Sequence, residues 1–119
     1  MLSAHVLTYM GNVMRADEAA EGRQVVLPGE ATWLPRADWD DDCVVSLDGN
    51  CVRLVCLQAR RPGHGAFHRL LDALAAEGLQ PVVVEPLGPL EATLQRWGWC
   101  SRTVGRGIYR QRHWTRPRL

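Results

Sequence analysis

The pentapeptide PVVVE at residues 81–85 constrains the fold more than any other stretch. Such a short, continuous apolar run is what a buried strand with neighbours on both sides requires. It is framed by helical patterns. From Ala66 to Glu77, Phe67, Leu70, Leu71 and Leu74 fall on one face, and Gly78 supplies a stop. After the run, Gly88 and Pro89 open a second helix carrying Leu90, Leu94 and Trp97, which ends at Gly98.

Upstream lies a hairpin whose register can be derived. With Gly49-Asn50 as a two-residue turn of the type with glycine first, Cys43, Val45 and Leu47 oppose Cys56, Leu54 and Val52. That register makes one wholly apolar face, whereas a slip of one residue sets Arg53 against Val45. It also predicts that Cys43 and Cys56 are close neighbours, both reduced in the cell. Residues 99–104 and 107–114 can pair as a closing hairpin around Gly105 and Gly107. Before residue 43 the pattern is thinner. SAHVLTY (3–9) alternates as a first strand, Asn12 caps a short helix ending at Glu21 and Gly22, and VVL (25–27) is extended. PGEATWLPRADWDDD (28–42) has no period and reads as a structured loop in which Trp33 and Trp39 cover the core. Hairpin, glycine loop, helix, strand, helix and final strands predict an α/β fold with a mixed, mostly antiparallel sheet flanked by helices.

All this fits one small domain of 119 residues. The expected organisation is a divergent part over 1–42 and a basic tail over 113–119. Hydrophobic residues make up 46% and charged residues 23%, which argues against a disordered or collagen-like chain. No apolar run approaches the ~20 residues of a membrane span, and no basic residue precedes Arg15 to make a signal-peptide start, so the expected location is cytoplasmic. The four cysteines (43, 51, 56, 100) form no CxxC pair, and reduced, partly buried thiols are expected.

Net charge is +1 but unevenly spread. Residues 1–59 hold nine acids and four arginines; residues 60–119 hold four acids and ten arginines. Lysine is absent. In the segment WGWCSRTVGRGIYRQRHWTRPRL (97–119), arginines interleave with Trp, Tyr and His. Arg110, Arg112, Arg116 and Arg118 can contact nucleic-acid phosphates while the aromatics stack on bases. Alternatively, this end docks on the acidic residues 38–42 of its own chain or of a partner in a homodimer.

Between hairpin and helix runs QARRPGHG (58–65). Glycines at a strand-to-helix junction let backbone N–H groups converge beside the positive end of the helix dipole, which suits an anion. An ordinary turn uses glycine too. Without lysine the loop is no Walker A motif. A dinucleotide fingerprint would use Gly63 and Gly65, with Glu85 on a ribose, but its third glycine is replaced by His68.

The stretch VCLQARRPGHGAFHRLLDALAAEG, followed by PVVVE and LEATLQRWGW, resembles the GNAT superfamily of acyl-CoA N-acyltransferases. In that family a strand leads into an Arg/Gln-x-x-Gly-x-Gly/Ala loop and a helix bearing Leu-Leu, then a strand, then a helix ending in glycine and an aromatic. The resemblance covers residues 43 to about 112, as a trimmed member. Counted from the loop, Arg60, Gly63 and Gly65 meet the motif; counted back from Leu70-Leu71, Pro62 replaces the arginine and Phe67 the small residue. The second count also aligns Val55 and Leu57 with the family's strand end and is preferred.

The resemblance implies acetyl-CoA, or another acyl-CoA, as the donor. Its pyrophosphate would lie on the loop of Arg60, Arg61, Gly63, His64, Gly65 and Ala66, with arginine side chains compensating for Pro62. The splayed strand edge around Leu54 to Leu57 would take the pantetheine arm, and an N–H near Val55 would polarise the thioester carbonyl. The acceptor would be an amine on a small molecule or linked to a nucleic acid. Leu94 stands where many members carry a tyrosine acid, and Glu85 is the candidate base, or else a capping or ion-paired residue. Asp40, Asp41 and Asp42 are candidates to meet a cationic amine, and Cys100 and Tyr109 candidates to donate a proton. Loss of that tyrosine leaves a second reading open, a GNAT-like module that binds nucleic acid or protein without catalysis.

Overall fold

The computed structural model describes residues 4–117, with side chains from residue 12 onward. Three helices and six strands form an α/β domain, in the order α1 (Ala4–Ala20), β1 (Gln24–Val26), β2 (Val44–Asp48), β3 (Cys51–Cys56), α2 (Ala66–Ala76), β4 (Gln80–Val84), α3 (Gly88–Arg96), β5 (Cys100–Val104) and β6 (Gln111–Thr115). The sheet runs β1-β2-β3-β4-β6-β5, and only the β3–β4 pairing is parallel. A helix between β3 and β4 makes that possible, since parallel neighbours need a crossover. PVVVE is thus central, bonded to β3 on one edge and β6 on the other.

Alternation divides the side chains of the sheet between two faces. Val45, Val52, Leu54, Val83 and Trp114 meet Leu70, Leu71 and Leu74 of α2, Leu94 of α3 and the buried Trp33 and Trp39 of the long loop. Phe67 stacks on Trp97 at 6.0 Å between ring centres, joining α2 to α3. On the opposite face α1 packs against β1 and β2. There Glu18 is buried between Arg53 and Ser46. Arg53 grips its carboxylate in a two-pronged bond (3.0 and 3.1 Å), and the Ser46 hydroxyl donates at 2.6 Å. Arg23 adds a contact at 3.4 Å.

Three expectations change. Residues 4–9 are helical and continuous with the helix expected from Asn12, so the first strand is replaced by the start of α1; Ser3 lies outside the described residues. Gly11 does not break that helix: the ~1 kcal/mol that a mid-helix glycine costs is offset by tertiary packing. In the first hairpin the expected register holds from Asp48–Cys51 to Val45–Leu54, after which Val44 faces Cys56. Val55 is therefore an extra residue on β3, a bulge, and Cys43 does not stand opposite Cys56. All four cysteines are free thiols. In the last hairpin, residues 107–109 form a 3-10 turn, so β6 begins at Gln111 and runs to Thr115, one residue past the expected 107–114 pairing and into the stretch also expected as a basic tail.

Candidate functional site

Parallel pairing of β3 with β4 starts at Cys51–Gln80 and stops at Leu54–Val83. Beyond that point the strands take different partners. The Asp40 N–H bonds the Gln58 carbonyl and the Arg60 N–H bonds the Asp38 carbonyl, so the continuation of β3 is tied to the long loop. The Glu85 N–H bonds the Arg112 carbonyl, tying the end of β4 to β6. Gln58 and Arg60 point their backbone groups at the loop, so alternation turns those of Leu57 the other way, towards the gap. The bulge at Val55 lies where the strands part.

A cavity of about 830 Å³ occupies this gap. It reaches from Met14, Asp17 and Glu18 of α1, with Glu21 just past its end, on one face of the sheet to Leu87 and Leu90 at α3 on the other. Val55, Cys56, Leu57, Val84 and Glu85 also line it, and Ile108, Tyr109 and Arg110 stand at its rim.

The second feature lies at the start of α2. Gly65 is the N-cap residue, in the left-handed region at φ 78°, and no side chain caps the first turn. Gly63 is also left-handed, at φ 83°, and a Cβ there would meet nothing within 4 Å. Early N–H groups of a helix have no partner within it, so the uncapped turn of α2 presents donors. Beside it Asp38, Arg61, His64 and Arg69 line a polar cavity of about 430 Å³. Arg69 binds both carboxylate oxygens of Asp38 (3.1 and 2.9 Å) and the His64 carbonyl. The hydrogen bond from Arg69 holds Asp38 below the ordinary carboxylate pKa, and the same bond raises Arg69. Arg60 donates to the Arg36 carbonyl and lies 3.6 Å from Asp41. Arg61 has neither hydrogen bond nor ion pair among the described residues, so it is the arginine of the pair left to meet an anion.

Other expected site residues are dispersed. Glu85 lines the sheet cavity with a backbone φ of 47°, and its carboxylate accepts the Arg112 N–H at 2.5 Å. It thus serves β6 through one oxygen while facing the cavity. Leu94 is fully buried in the core. Tyr109 is at the cavity rim; Cys100 begins β5 away from it. Asp40, Asp41 and Asp42 line neither cavity. Asp40 accepts the Asp42 N–H, and Asp41 sits near Arg36 and Arg60. The acids that reach the sheet cavity besides Glu85, namely Asp17, Glu18 and Glu21, went unread in the sequence, although their spacing along a helix was the available signal. His68 packs 5.0 Å from Trp97.

At the basic end, Arg112 stacks over Trp114 at 5.7 Å and donates to Ser101. Arg102 pairs with His113, so it projects from the face opposite Arg112. Arg110 and Arg116 are exposed, and Arg118 lies outside the described residues. No helix among the described residues is long and apolar enough to cross a membrane.

Comparisons with protein-family models, with curated proteins and with solved structures returned no match.

Proposed function

We propose that the chain is a cytoplasmic N-acyltransferase of GNAT type, which moves an acyl group, acetyl first, from coenzyme A to an amine. One observation carries the reading: two parallel strands separate after Leu54–Val83, and a cavity follows the gap to the uncovered edge of β3. Such a parting supports the splayed strand edge that the GNAT resemblance implies around Leu54 to Leu57. The uncapped, glycine-led start of α2 and unpaired Arg61 fit the diphosphate end of the same donor.

Coenzyme A supplies an activated thioester when bound. For their part, the bulged strand at Val55 aims backbone N–H groups at the carbonyl oxygen, and Leu57 offers backbone groups to the amide-bearing arm. Glu85 accepts a proton from the ammonium form of the acceptor, through water if its Arg112 bond persists. The free amine nitrogen attacks the carbonyl carbon and the C–N bond forms; as the C–S bond breaks the nitrogen gives up a further proton to leave a neutral amide, and the departing thiolate takes up one. Tyr109, which lines the cavity, has a phenol that could exchange that proton.

The test is calorimetry and thermal melting with acetyl-CoA, coenzyme A and S-acetylpantetheine, which lacks the phosphates. Acetyl-CoA at 100 times its Kd should add about 2.7 kcal/mol of stability. Gly65→Glu, with a carboxylate before the helix start, should abolish that gain and leave any weak pantetheine effect. No response of the unmodified protein to any of the three refutes the reading.

A second reading, a GNAT-like module that binds nucleic acid without catalysis, is favoured by one observation: Arg102, Arg106, Arg110 and Arg116 have no ion-pair partner among the described residues.

A further inference from the structure

We infer that the sheet cavity receives a small primary amine carried on an apolar body, an arylalkyl or alkyl amine. Its role as acceptor rests on the acyl-transfer reading above; the binding itself does not.

The rim argues for the apolar body. Leu87, Ile108 and Tyr109 all line the cavity, yet they are 82%, 91% and 79% exposed. Single exposed apolar side chains are ordinary, but three gathered at one opening leave a patch that a ligand would cover. They are held there by stiff chain. Leu87 follows Pro86 and precedes Gly88-Pro89 in extended geometry at the start of α3. Ile108 and Tyr109 ride the 3-10 turn, closed by bonds from the Tyr109 N–H to Arg106 (3.1 Å) and the Arg110 N–H to Gly107 (3.3 Å).

The wall argues for the single positive charge. Glu18 is neutralised by Arg53, Glu21 pairs with Arg23, and Glu85 accepts from Arg112. Glu85 has no ion pair, since its bond is to the Arg112 backbone N–H, but Asp17 alone among these lining acids has neither a side-chain hydrogen bond nor an ion pair among the described residues, and it faces a cavity whose one lining arginine is Arg110. A monocation is attracted. A polyamine would set its further ammonium groups against Leu87 and Ile108 without partners, at a desolvation cost. A nucleic-acid-linked amine would bring phosphates towards the acids.

Binding is measured by ligand-observed NMR and calorimetry on the full chain with 2-phenylethylamine, its neutral analogue 2-phenylethanol, and spermidine, first without coenzyme and then with acetyl-CoA. 2-Phenylethylamine should bind about tenfold or more tighter than spermidine, the difference expected for one buried ring. Ile108→Ser should remove most of that preference, and Asp17→Asn should narrow the gap to 2-phenylethanol by about two- to fivefold. Equal or tighter binding of spermidine, or of the alcohol, overturns the inference. So does acylation of spermidine or an RNA-linked amine in preference to 2-phenylethylamine. If 2-phenylethylamine binds as expected and acetyl-CoA does not, the transferase reading falls and the amine site stands.

Discussion

A carboxylate removed from water keeps its charge only where other donors replace the water. At Glu18 burial by itself pushes the pKa up, but the hydrogen bonds from Arg53 and Ser46 and the charges of Arg53 and Arg23 outweigh it, leaving Glu18 below its ordinary 4.5. Because its folded pKa is the lower one, Glu18 contributes its full stabilisation above pH 4.5 and loses it as pH falls through the folded value. His113 acts earlier. Burial, with Arg53, Arg102 and Arg23 nearby, lowers its pKa from 6.5, so its contribution is complete above pH 6.5 and fades below it. Urea unfolding from pH 8 to pH 3 should therefore show an acid-side loss in two parts. His113→Asn should remove the part that starts near 6.5, and Glu18→Gln should flatten the part below 4.5. At pH 7, Arg53→Met should cost about 3–5 kcal/mol by stranding the carboxylate, while adding Glu18→Met should recover most of it.

Connections between elements carry a different kind of constraint. A Cβ on Gly105 would lie 2.5 Å from the Tyr109 carbonyl oxygen, and the residue has φ +90°; Gly107, at φ +60°, faces open space. Gly107→Ala should cost about 1–2 kcal/mol, the left-handed penalty alone. Gly105→Ala should cost more and disorder the turn that presents Ile108 and Tyr109. Thermal melts of the two variants check the order. Elements with a clear period were legible in advance. α2, β4, α3 and the Gly49-Asn50 hairpin each had a pattern and a stop. At the N-terminus, alternation over residues 3–9 pointed to a strand, whereas residues 4–9 form the start of α1, a helix that packs on β1 and β2. The bulge at Val55 was invisible because no residue type marks it. The same holds for the site. Glycines 63 and 65 announced the start of α2, but the walls of the sheet cavity come from α1, β3, β4, α3 and the 108–111 turn. No local motif spans such distances, and the Glu18–Arg53 pair is 35 residues apart in sequence.

Over the whole molecule, the excess of arginine in the second half does not become one stripe. Arg102 and Arg112 leave opposite faces of the β5–β6 pair, and Arg69 and Arg60 are held by Asp38 and Asp41. With the unpaired arginines spread over different faces, retention on heparin should be weak and salt-sensitive. Exchanging Arg110, Arg112, Arg116 and Arg118 for glutamine together should abolish it if the nucleic-acid reading holds, and unchanged retention would sink that reading. The parting of β3 from β4 bears on how the molecule moves. One jaw is fastened to the loop over residues 38–40 and through β2 to α1; the other is fastened to β6. Four residue pairs, Cys51–Gln80 to Leu54–Val83, are all the backbone ladder between them. The sheet is thus a zip left half open, and anything seated between its free edges would stiffen the whole domain from the inside.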